Sequence, residues 1–382
     1  MKNVKKAVSA LLIISLLIST VFSMGGCANT TWSSKYNGKQ LNAGVYMFYL
    51  INAFYEASQA VTDSQSDPFT QQVEGKDFSV WVKDKALDEL HRYYAIEEKA
   101  RELNVTLTEE EKTEVSNTLD TNWPNGYSKI CELNHISKES VLAVNENGKL
   151  AEKLFKAIYY KGGSSEVSEK ELSENFTFIS VFSESLGTLE TATPNEDGSE
   201  GALTDEQKAA NTKTTEKNTK IKELFKNTLD EFNKKTGENA YKETWDYFFP
   251  KSNDLNADVE GYTQKNSEAL PDVNVFPLKE NAEEEETATE EDKKTTKALR
   301  ELANDKATTI ESESGMLFAY KTDLFKDRAK FELKQDEIIQ GYKSEEYAAM
   351  LTDLAAEIKD KIDVNKGLTN KYGAKELVFP EQ

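Results

Sequence analysis

The chain has 382 residues and a net charge of −21 at pH 7, and it contains only two histidines and two cysteines. The acidic excess argues against nucleic acid or anionic lipid headgroups as partners, because both are negatively charged themselves. His91 and His135 are far apart in sequence, so a histidine-based zinc site and Ser-His or Cys-His catalysis have little support. The sequence therefore predicts no catalytic residue, no metal site and no cofactor.

The first 27 residues have the order of a bacterial secretory signal that ends at a lipid-modified cysteine. A charged start is followed by an apolar run, Ala7–Phe22, and by the sequence MGGC at 24–27. The apolar run is shorter than the roughly 20 residues of a membrane-spanning helix, which is the reason for preferring lipidation to an uncleaved anchor. We expect a signal peptide over residues 1–26, lipid attachment at Cys27, and an exported protein held on the outer face of the cell membrane. If Cys27 is lipidated, Cys131 has no partner for an intramolecular disulfide.

The next part of the chain is predicted to be helical after a short tether. Small and polar residues from Ala28 to Gln40 predict a flexible tether, within a lipidated segment over residues 27–41. Apolar residues at every third or fourth position indicate amphipathic helices. The predicted helices are Asn42–Ala60, Phe78–Leu103, one that starts at a Thr108/Glu111 capping box, Tyr127–Leu133 and Lys138–Tyr160.

Strand-like segments appear after residue 165. Asn175–Phe182 is the most strand-like run of the chain, and Gly315–Tyr320 is similar. Two polar stretches lie between them: Leu186–Lys220, whose later part predicts a helix to Lys235, and Asn281–Thr296, whose glutamates predict a solvated loop or helix start. The predicted fold is mainly α with a smaller α+β module. A helical domain is expected over residues 42–165, completed by 344–382, and an α+β domain over 166–343.

Two segments carry a family resemblance. AIEEKARELNVTLTEEEKTEV, Ala95–Val115, combines a long helix, a short break and an acidic helix, and VSEKELSENF, Val167–Phe176, leads into the first strand. Both segments, and the order of lipobox, helices, α+β module and returning helix, resemble the PrsA-type foldases and SurA-type chaperones. The resemblance implies an exported chaperone or foldase, with a SurA/PrsA N-terminal-like helical domain and a parvulin-like prolyl-isomerase domain.

The parvulin-like module departs from the family pattern at its histidines. A parvulin's first strand carries a histidine and its last strand reads Gly-Tyr-His, whereas the corresponding runs here are Phe178–Val181 and Gly315–Leu317. No catalytic residue of the family transfers to this chain. The resemblance therefore implies a degenerate domain without strong isomerase activity.

A chaperone needs an apolar or aromatic surface that unfolded segments can reach. Large aromatics are mostly buried, so core packing is the alternative for each candidate. The sequence predicts a membrane-anchored chaperone for unfolded or newly exported polypeptides; an active peptidyl-prolyl isomerase and a solute-binding lipoprotein of a transporter are the alternatives. The candidate client-binding aromatics are Tyr46, Tyr49, Tyr55, Trp81, Tyr93 and Tyr94.

Overall fold

The computed structural model describes residues 32–63, 65–192, 201–237, 239–279 and 287–380. The predicted signal peptide, Cys27 and the run Glu283–Glu286 lie outside the described residues. The chain divides into two compact units, one formed by residues up to Val167 and from Ile339 on, the other by Ser168–Ile338. The chain is mainly α-helical with a smaller α+β unit, which confirms the predicted fold class.

Of the strands in the described residues, five short ones belong to the first unit, and the four that contain most of the strand residues belong to the second. The helices are α1 (Ala43–Ala60), α2 (Phe78–Glu102), α3 (Glu109–Asn122), α4 (Ser128–Leu133), α5 (Lys138–Tyr159), α6 (Glu169–Asn175), α7 (Asp205–Asn233), α8 (Ala240–Leu255), α9 (Glu290–Glu301), α10 (Arg328–Ile358) and α11 (Lys366–Lys371). The strands are β1 (Trp32–Tyr36), β2 (Lys39–Asn42), β3 (Gln72–Val73), β4 (Lys76–Asp77), β5 (Phe176–Ser185), β6 (Val273–Pro277), β7 (Lys306–Glu311), β8 (Gly315–Thr322) and β9 (Asp363–Val364).

The first unit is a helical assembly around one apolar core. The first half of α1 is buried on all sides, as its continuous apolar sequence predicts, and α1 packs against α2 and α5. The part of α10 that belongs to this unit packs there too: Tyr347 is fully buried, and its hydroxyl donates to the Ala151 carbonyl oxygen at 2.8 Å. Cys131 is buried in the same core, and burial raises the pKa of its thiol to about 12, so this cysteine is unreactive.

Residues 32–42 form a β-hairpin in the segment that the sequence predicted to contain a flexible tether. β1 and β2 pair antiparallel with Tyr36 opposite Lys39, and β9 pairs with the other side of β1. The two turn residues, Asn37 and Gly38, have φ values of 47° and 80°. Two-residue hairpin turns require positive φ, which Asn and Gly adopt most readily. The tether prediction is wrong from residue 32 on, because it followed the polar composition and overlooked the Asn-Gly turn signal.

The second unit is built on a four-stranded antiparallel sheet with the order β6-β5-β8-β7. Helices α7 and α8 cover one face, and α9 lies on the other. In the central pair, Phe182 of β5 is directly opposite Phe318 of β8. The core of the first face contains Phe182, Ile221, Leu224, Phe225, Phe232, Ala240, Tyr241, Trp245, Phe248, Met316, Phe318 and Tyr320. The core of the second face contains Ile179, Leu299, Ile310 and Ala319.

The helix termini follow the capping signals in the sequence. Thr289 accepts from the Asp292 backbone N–H and starts α9 within the acidic stretch Asn281–Thr296, so the helix-start interpretation is confirmed for the described part of that stretch. The returning helix begins earlier than predicted, at Arg328 instead of Ser344. Of the helices in the described part of the chain, none has both the length and the apolar character that a membrane crossing requires.

The capping box at the start of α3 gives a test of stability against pH. Thr108 Oγ1 accepts from the Glu111 N–H at 3.2 Å, and Glu111 Oε2 accepts from the Thr108 N–H and from Lys153 Nζ, both at 2.6 Å. The hydrogen bond from Lys153, followed by that from the Thr108 backbone, lowers the pKa of the Glu111 carboxyl from 4.5 to about 2. The folded state therefore binds this proton less readily than the unfolded chain does.

Between pH 4.5 and about 2, the unfolded chain takes up a proton that the folded chain does not, so stability falls as the pH drops through this window. We expect the melting temperature of Glu111→Gln to fall less over this window than that of the unaltered chain, measured by circular dichroism. Glu110→Gln is the control, because it removes a carboxylate of the same turn that is not part of the capping box. Parallel declines in the unaltered chain and Glu111→Gln would contradict the assignment.

Candidate functional site

A cleft of about 430 Å³ opens in the first unit between the β1–β2 hairpin, the end of α2 and α5. The hairpin contributes its turn, and α5 contributes a polar and apolar wall. The segment between α2 and α3 closes the remaining side. The lining residues are Tyr36, Asn37, Lys39, Tyr93, Tyr94, Glu97, Glu98, Ala100, Arg101, Val105, Thr106, Leu107, Lys112, Glu146, Asn147 and Leu150.

Three residues that follow α2 line this cleft: Val105, Thr106 and Leu107. Asn104 has a φ of 54°, the left-handed conformation that often ends a helix, and the Val105 N–H donates to the Ala100 carbonyl oxygen at 2.7 Å. The chain then continues without helix or strand through Val105, Thr106 and Leu107 to the Thr108 cap of α3. Val105 and Leu107 are half-buried, so each leaves part of an apolar side chain accessible in the cleft.

Three tyrosines form the aromatic part of the cleft. Tyr93 and Tyr94 are 3 % and 1 % exposed, so their rings are the floor, whereas Tyr36 is half-buried and presents the accessible ring. The Tyr36 and Tyr94 ring centroids are 5.5 Å apart with a tilt of 58°. The Tyr93 and Tyr94 centroids are 5.6 Å apart in an edge-on arrangement. Such contacts between rings hold the floor in one conformation.

Hydrogen bonds hold the hydroxyls of the two floor tyrosines. The Tyr94 hydroxyl lies 3.1 Å from Ser34 Oγ of β1, and the Tyr93 hydroxyl accepts from Lys39 Nζ of β2 at 3.0 Å. Burial raises the pKa of Tyr94 to about 12 and that of Tyr93 well above its ordinary value. Both tyrosines are therefore neutral at ordinary pH.

The charged groups of the cleft are largely paired. Lys39 forms an ion pair with Glu97, and Arg101 with Glu98, which also accepts from Asn37 Nδ2 at 3.1 Å. Lys112 pairs outward with Glu109, at 2.7 Å. The cleft thus combines an apolar wall with charged groups that are paired except for Glu146, an arrangement suited to an amphipathic chain.

The six predicted aromatics separate into three groups. Tyr93 and Tyr94 lie at the cleft. Tyr46, Tyr49 and Trp81 are buried in the core, where the Tyr46 hydroxyl donates to the Tyr372 carbonyl oxygen and Trp81 Nε1 donates to Glu74. Tyr55 is half-buried and packs on Phe379, with the ring centroids 5.7 Å apart.

Tyr36, the accessible ring of the cleft, is not among the aromatics predicted from the sequence. The signal that locates it is the Asn-Gly turn directly after it, which predicts a hairpin and therefore a fixed position for this side chain.

The second unit contains a buried polar cluster at one end of its sheet. Glu184 of β5 is 7 % exposed. It accepts hydrogen bonds from Ser252 Oγ of α8 and from Asn256 Nδ2, directly after α8, and it forms an ion pair with Lys265. Lys265 Nζ also donates to Ser252 Oγ and to the Tyr262 hydroxyl, each at 3.1 Å.

A Ser252–Lys265 contact superficially resembles the Ser-Lys pair of some hydrolases. Ser252 is fully buried, and its hydroxyl already donates to Glu184. No substrate reaches a hydroxyl in this position, so the cluster is structural: it ties the segment that follows α8 to β5.

The two strand runs without histidine, Phe178–Val181 and Gly315–Leu317, belong to adjacent strands, since β5 pairs with β8. One face of this pair is filled by aromatic side chains, with the Phe182 and Phe318 rings stacked 4.6 Å apart at 7°. The two histidines belong to the first unit: His91 is in α2, and His135 follows α4. Across the described ranges, no group of three or more His, Cys, Asp and Glu side chains is arranged to hold a metal ion.

Comparison with known proteins gives a distant structural similarity. No family model matches the sequence, and no curated protein matches it. Among solved structures, the chain is similar to foldase protein PrsA from Streptococcus pneumoniae str. Canada MDR_19A, with 13 % identity, a TM-score of 0.30, and coverage of 84 % of this chain and 100 % of that chain. It is also similar to the foldase protein PrsA from Lactococcus lactis, with 10 % identity, a TM-score of 0.29, and coverage of 90 % and 99 %. At these TM-scores the similarity identifies no shared site residues.

Proposed function

We propose that this chain is an exported chaperone that binds unfolded segments of client polypeptides in the cleft of its first unit. The observation that carries the proposal is the combination of the accessible Tyr36 ring with the half-exposed Val105 and Leu107 side chains around one cleft. Apolar contacts are non-directional, so such a surface accepts many sequences, as a chaperone requires.

The size and rigidity of the cleft support this use. Its volume of about 430 Å³ is within the range of pockets that take small ligands, so it accommodates a few side chains of an extended segment and not a folded domain. The floor tyrosines are held by ring contacts and hydrogen bonds, so little conformational entropy is lost on binding.

The location of the protein is part of the proposal. The order of charged, apolar and small residues before Cys27 supports export, removal of residues 1–26 and a lipid anchor on the outer face of the membrane. Incorporation of labelled palmitate that is lost in Cys27→Ala is the expected result. Undiminished incorporation in that variant would overturn the anchor assignment.

We also propose that the first unit is a SurA/PrsA N-terminal-like domain and the second a degenerate parvulin-like domain without strong isomerase activity. The strand runs without histidine and the stacked Phe182 and Phe318 rings on their sheet support the second assignment. A solute-binding lipoprotein is the weaker alternative, because its two lobes are α/β, whereas the described first unit is helical apart from short strands.

The test compares variants of the cleft in the chain from residue 28 on, which contains every described residue. Tyr36→Ala with Leu107→Ser is expected to weaken binding of a permanently unfolded, labelled protein by about tenfold, equivalent to about 1.4 kcal/mol. Binding is measured by fluorescence anisotropy, and suppression of client aggregation by light scattering.

Leu133→Ser is the matched control, since Leu133 is 38 % exposed in the same unit and does not line the cleft. It is expected to bind the client as the unaltered chain does. Equal loss in the control and the cleft variant would contradict the cleft as the binding site, and an unaltered chain that binds no unfolded client would overturn the proposed function.

A further inference from the structure

Glu146 is the one cleft-lining glutamate that the described residues leave without an ion-pair partner. Glu97 is paired with Lys39, Glu98 with Arg101, and the cleft's remaining cation, Lys112, with Glu109 at 2.7 Å. Within the described ranges, no lysine, arginine or histidine nitrogen lies within 4.0 Å of the Glu146 carboxylate. The charge of Glu146 acts on Lys112, whose pKa it raises after Glu109 does, but the ion pair of Lys112 is with Glu109. Among the described residues, Glu146 is therefore a carboxylate on the α5 wall of the cleft that has no ion-pair partner.

This carboxylate is close to the aromatic floor. After burial and the neighbouring Glu97, the charge of Glu146 further raises the pKa of the Tyr93 hydroxyl. The adjacent Asn147 is 5 % exposed, and its Nδ2 donates to the Tyr93 carbonyl oxygen at 3.0 Å, which holds α5 against α2 at this point. Glu146 is thereby placed on a rigid wall beside tyrosine rings.

Carboxylates and tyrosine ring faces both attract cations. The cleft already shows a cation against an aromatic ring, since Lys39 Nζ lies 5.0 Å from the Tyr93 ring centroid. A basic side chain of a ligand would meet the same two kinds of group, the Glu146 carboxylate and the accessible Tyr36 ring. The net charge of −21 attracts basic segments at longer range as well.

We propose that the cleft selects segments of unfolded polypeptide in which a lysine or arginine lies next to an apolar residue. The basic group faces Glu146, and the apolar side chain lies against Val105, Leu107 and Leu150. This inference rests on the proposed function, because it names the class of client segment for the same cleft.

The experiment uses three labelled peptides of equal length that differ at one position. Each has a central leucine, and the neighbouring residue is lysine, glutamine or glutamate. Anisotropy titrations with the chain from residue 28 on are expected to show that the lysine peptide binds about fivefold more tightly than the glutamine peptide, the size of one exposed ion pair. The glutamate peptide is expected to bind most weakly, and the differences are expected to shrink as salt is added.

Glu146→Gln is expected to abolish the preference for lysine while the glutamine peptide binds as before. Glu114→Gln, an exposed residue outside the cleft with the same change of charge, is expected to retain the preference. Equal binding of the three peptides, or a lysine preference that persists in Glu146→Gln, would overturn this inference and leave the proposed function standing. Failure of all three peptides and of the unfolded protein to bind would overturn the proposed function itself.

Discussion

Phe182→Ala is expected to destabilise the second unit by about 3–5 kcal/mol, the usual cost of deleting a fully buried aromatic ring. Phe182 is 4 % exposed and lies at the centre of the first-face core. The cavity left by this change would be bordered by the Phe318 ring, which stacks on Phe182 in the unaltered chain. The ring centroids around Phe182 are those of Phe248 at 4.4 Å, Phe318 at 4.6 Å, Trp245 at 5.4 Å, Phe225 at 6.1 Å and Tyr241 at 6.2 Å.

Hydrogen exchange followed by mass spectrometry shows which of the two units is destabilised in Phe182→Ala. Amides of β5 and β8 are expected to exchange faster in Phe182→Ala, because their protection depends on the stability of that sheet. Leu333→Ala is the control in the same unit: its side chain is 84 % exposed, and a cost below about 0.5 kcal/mol is expected. Unchanged exchange in β5 and β8 of Phe182→Ala would show that the aromatic core does not determine their stability.

Glu184→Gln is expected to destabilise the second unit by about 3 kcal/mol, because it leaves the Lys265 ammonium without a countercharge. The value is at the lower end of the range for buried pairs, since the Lys265 side chain is 22 % exposed while that of Glu184 is 7 % exposed. Chemical denaturation followed by the fluorescence of Trp245, in a background where the other tryptophans are phenylalanine, reports on this unit.

The loss of stability of the second unit in Glu184→Gln is expected to depend on pH. Burial lowers the pKa of Lys265 to about 8, below its ordinary value of 10.5, and removal of the carboxylate favours the neutral amine further. A lysine with a lowered folded pKa binds fewer protons in the folded state, so stability rises with pH between these two values. The deficit of Glu184→Gln is therefore expected to be smaller above pH 8 than below it.

A double-mutant cycle separates the ion pair from the packing of the cluster. Lys265→Met together with Glu184→Met is expected to cost less than the sum of the two single changes, because replacing both members of a buried pair leaves no unpaired charge. Additive losses would show that the two side chains contribute independently, and would contradict the structural role assigned to the pair.

Local signals predicted the helices closely. The three-and-four spacing from Phe78 on predicted a helix to Leu103, and α2 ends at Glu102. The Thr108 capping box starts α3 as expected. The strand predicted at Asn175–Phe182 is β5, and that at Gly315–Tyr320 is within β8. These elements were predictable because their periodicity and caps are properties of neighbouring residues.

The lining of the candidate cleft was predictable only in part. Tyr93 and Tyr94 were among the candidates because tyrosines are common at wet aromatic surfaces, yet the same reasoning selected Tyr46 and Trp81, which lie in the core. Spacing along a helix tells which side chains share a face, but it does not tell whether a neighbouring element covers that face. The segment with the clearest family resemblance, Ala95–Val115, provides much of the cleft lining.

Local patterns were sufficient to predict the mainly helical fold class, the positions of most helices and the two central strands, because burial periodicity and capping are encoded over a few residues. The folded chain was needed to see that Tyr36 and Glu146, 110 positions apart by number, line one cleft, and that Glu184 contacts Lys265. Those contacts depend on how distant elements pack, and hydrophobic packing is non-directional, so no local pattern specifies which surfaces meet.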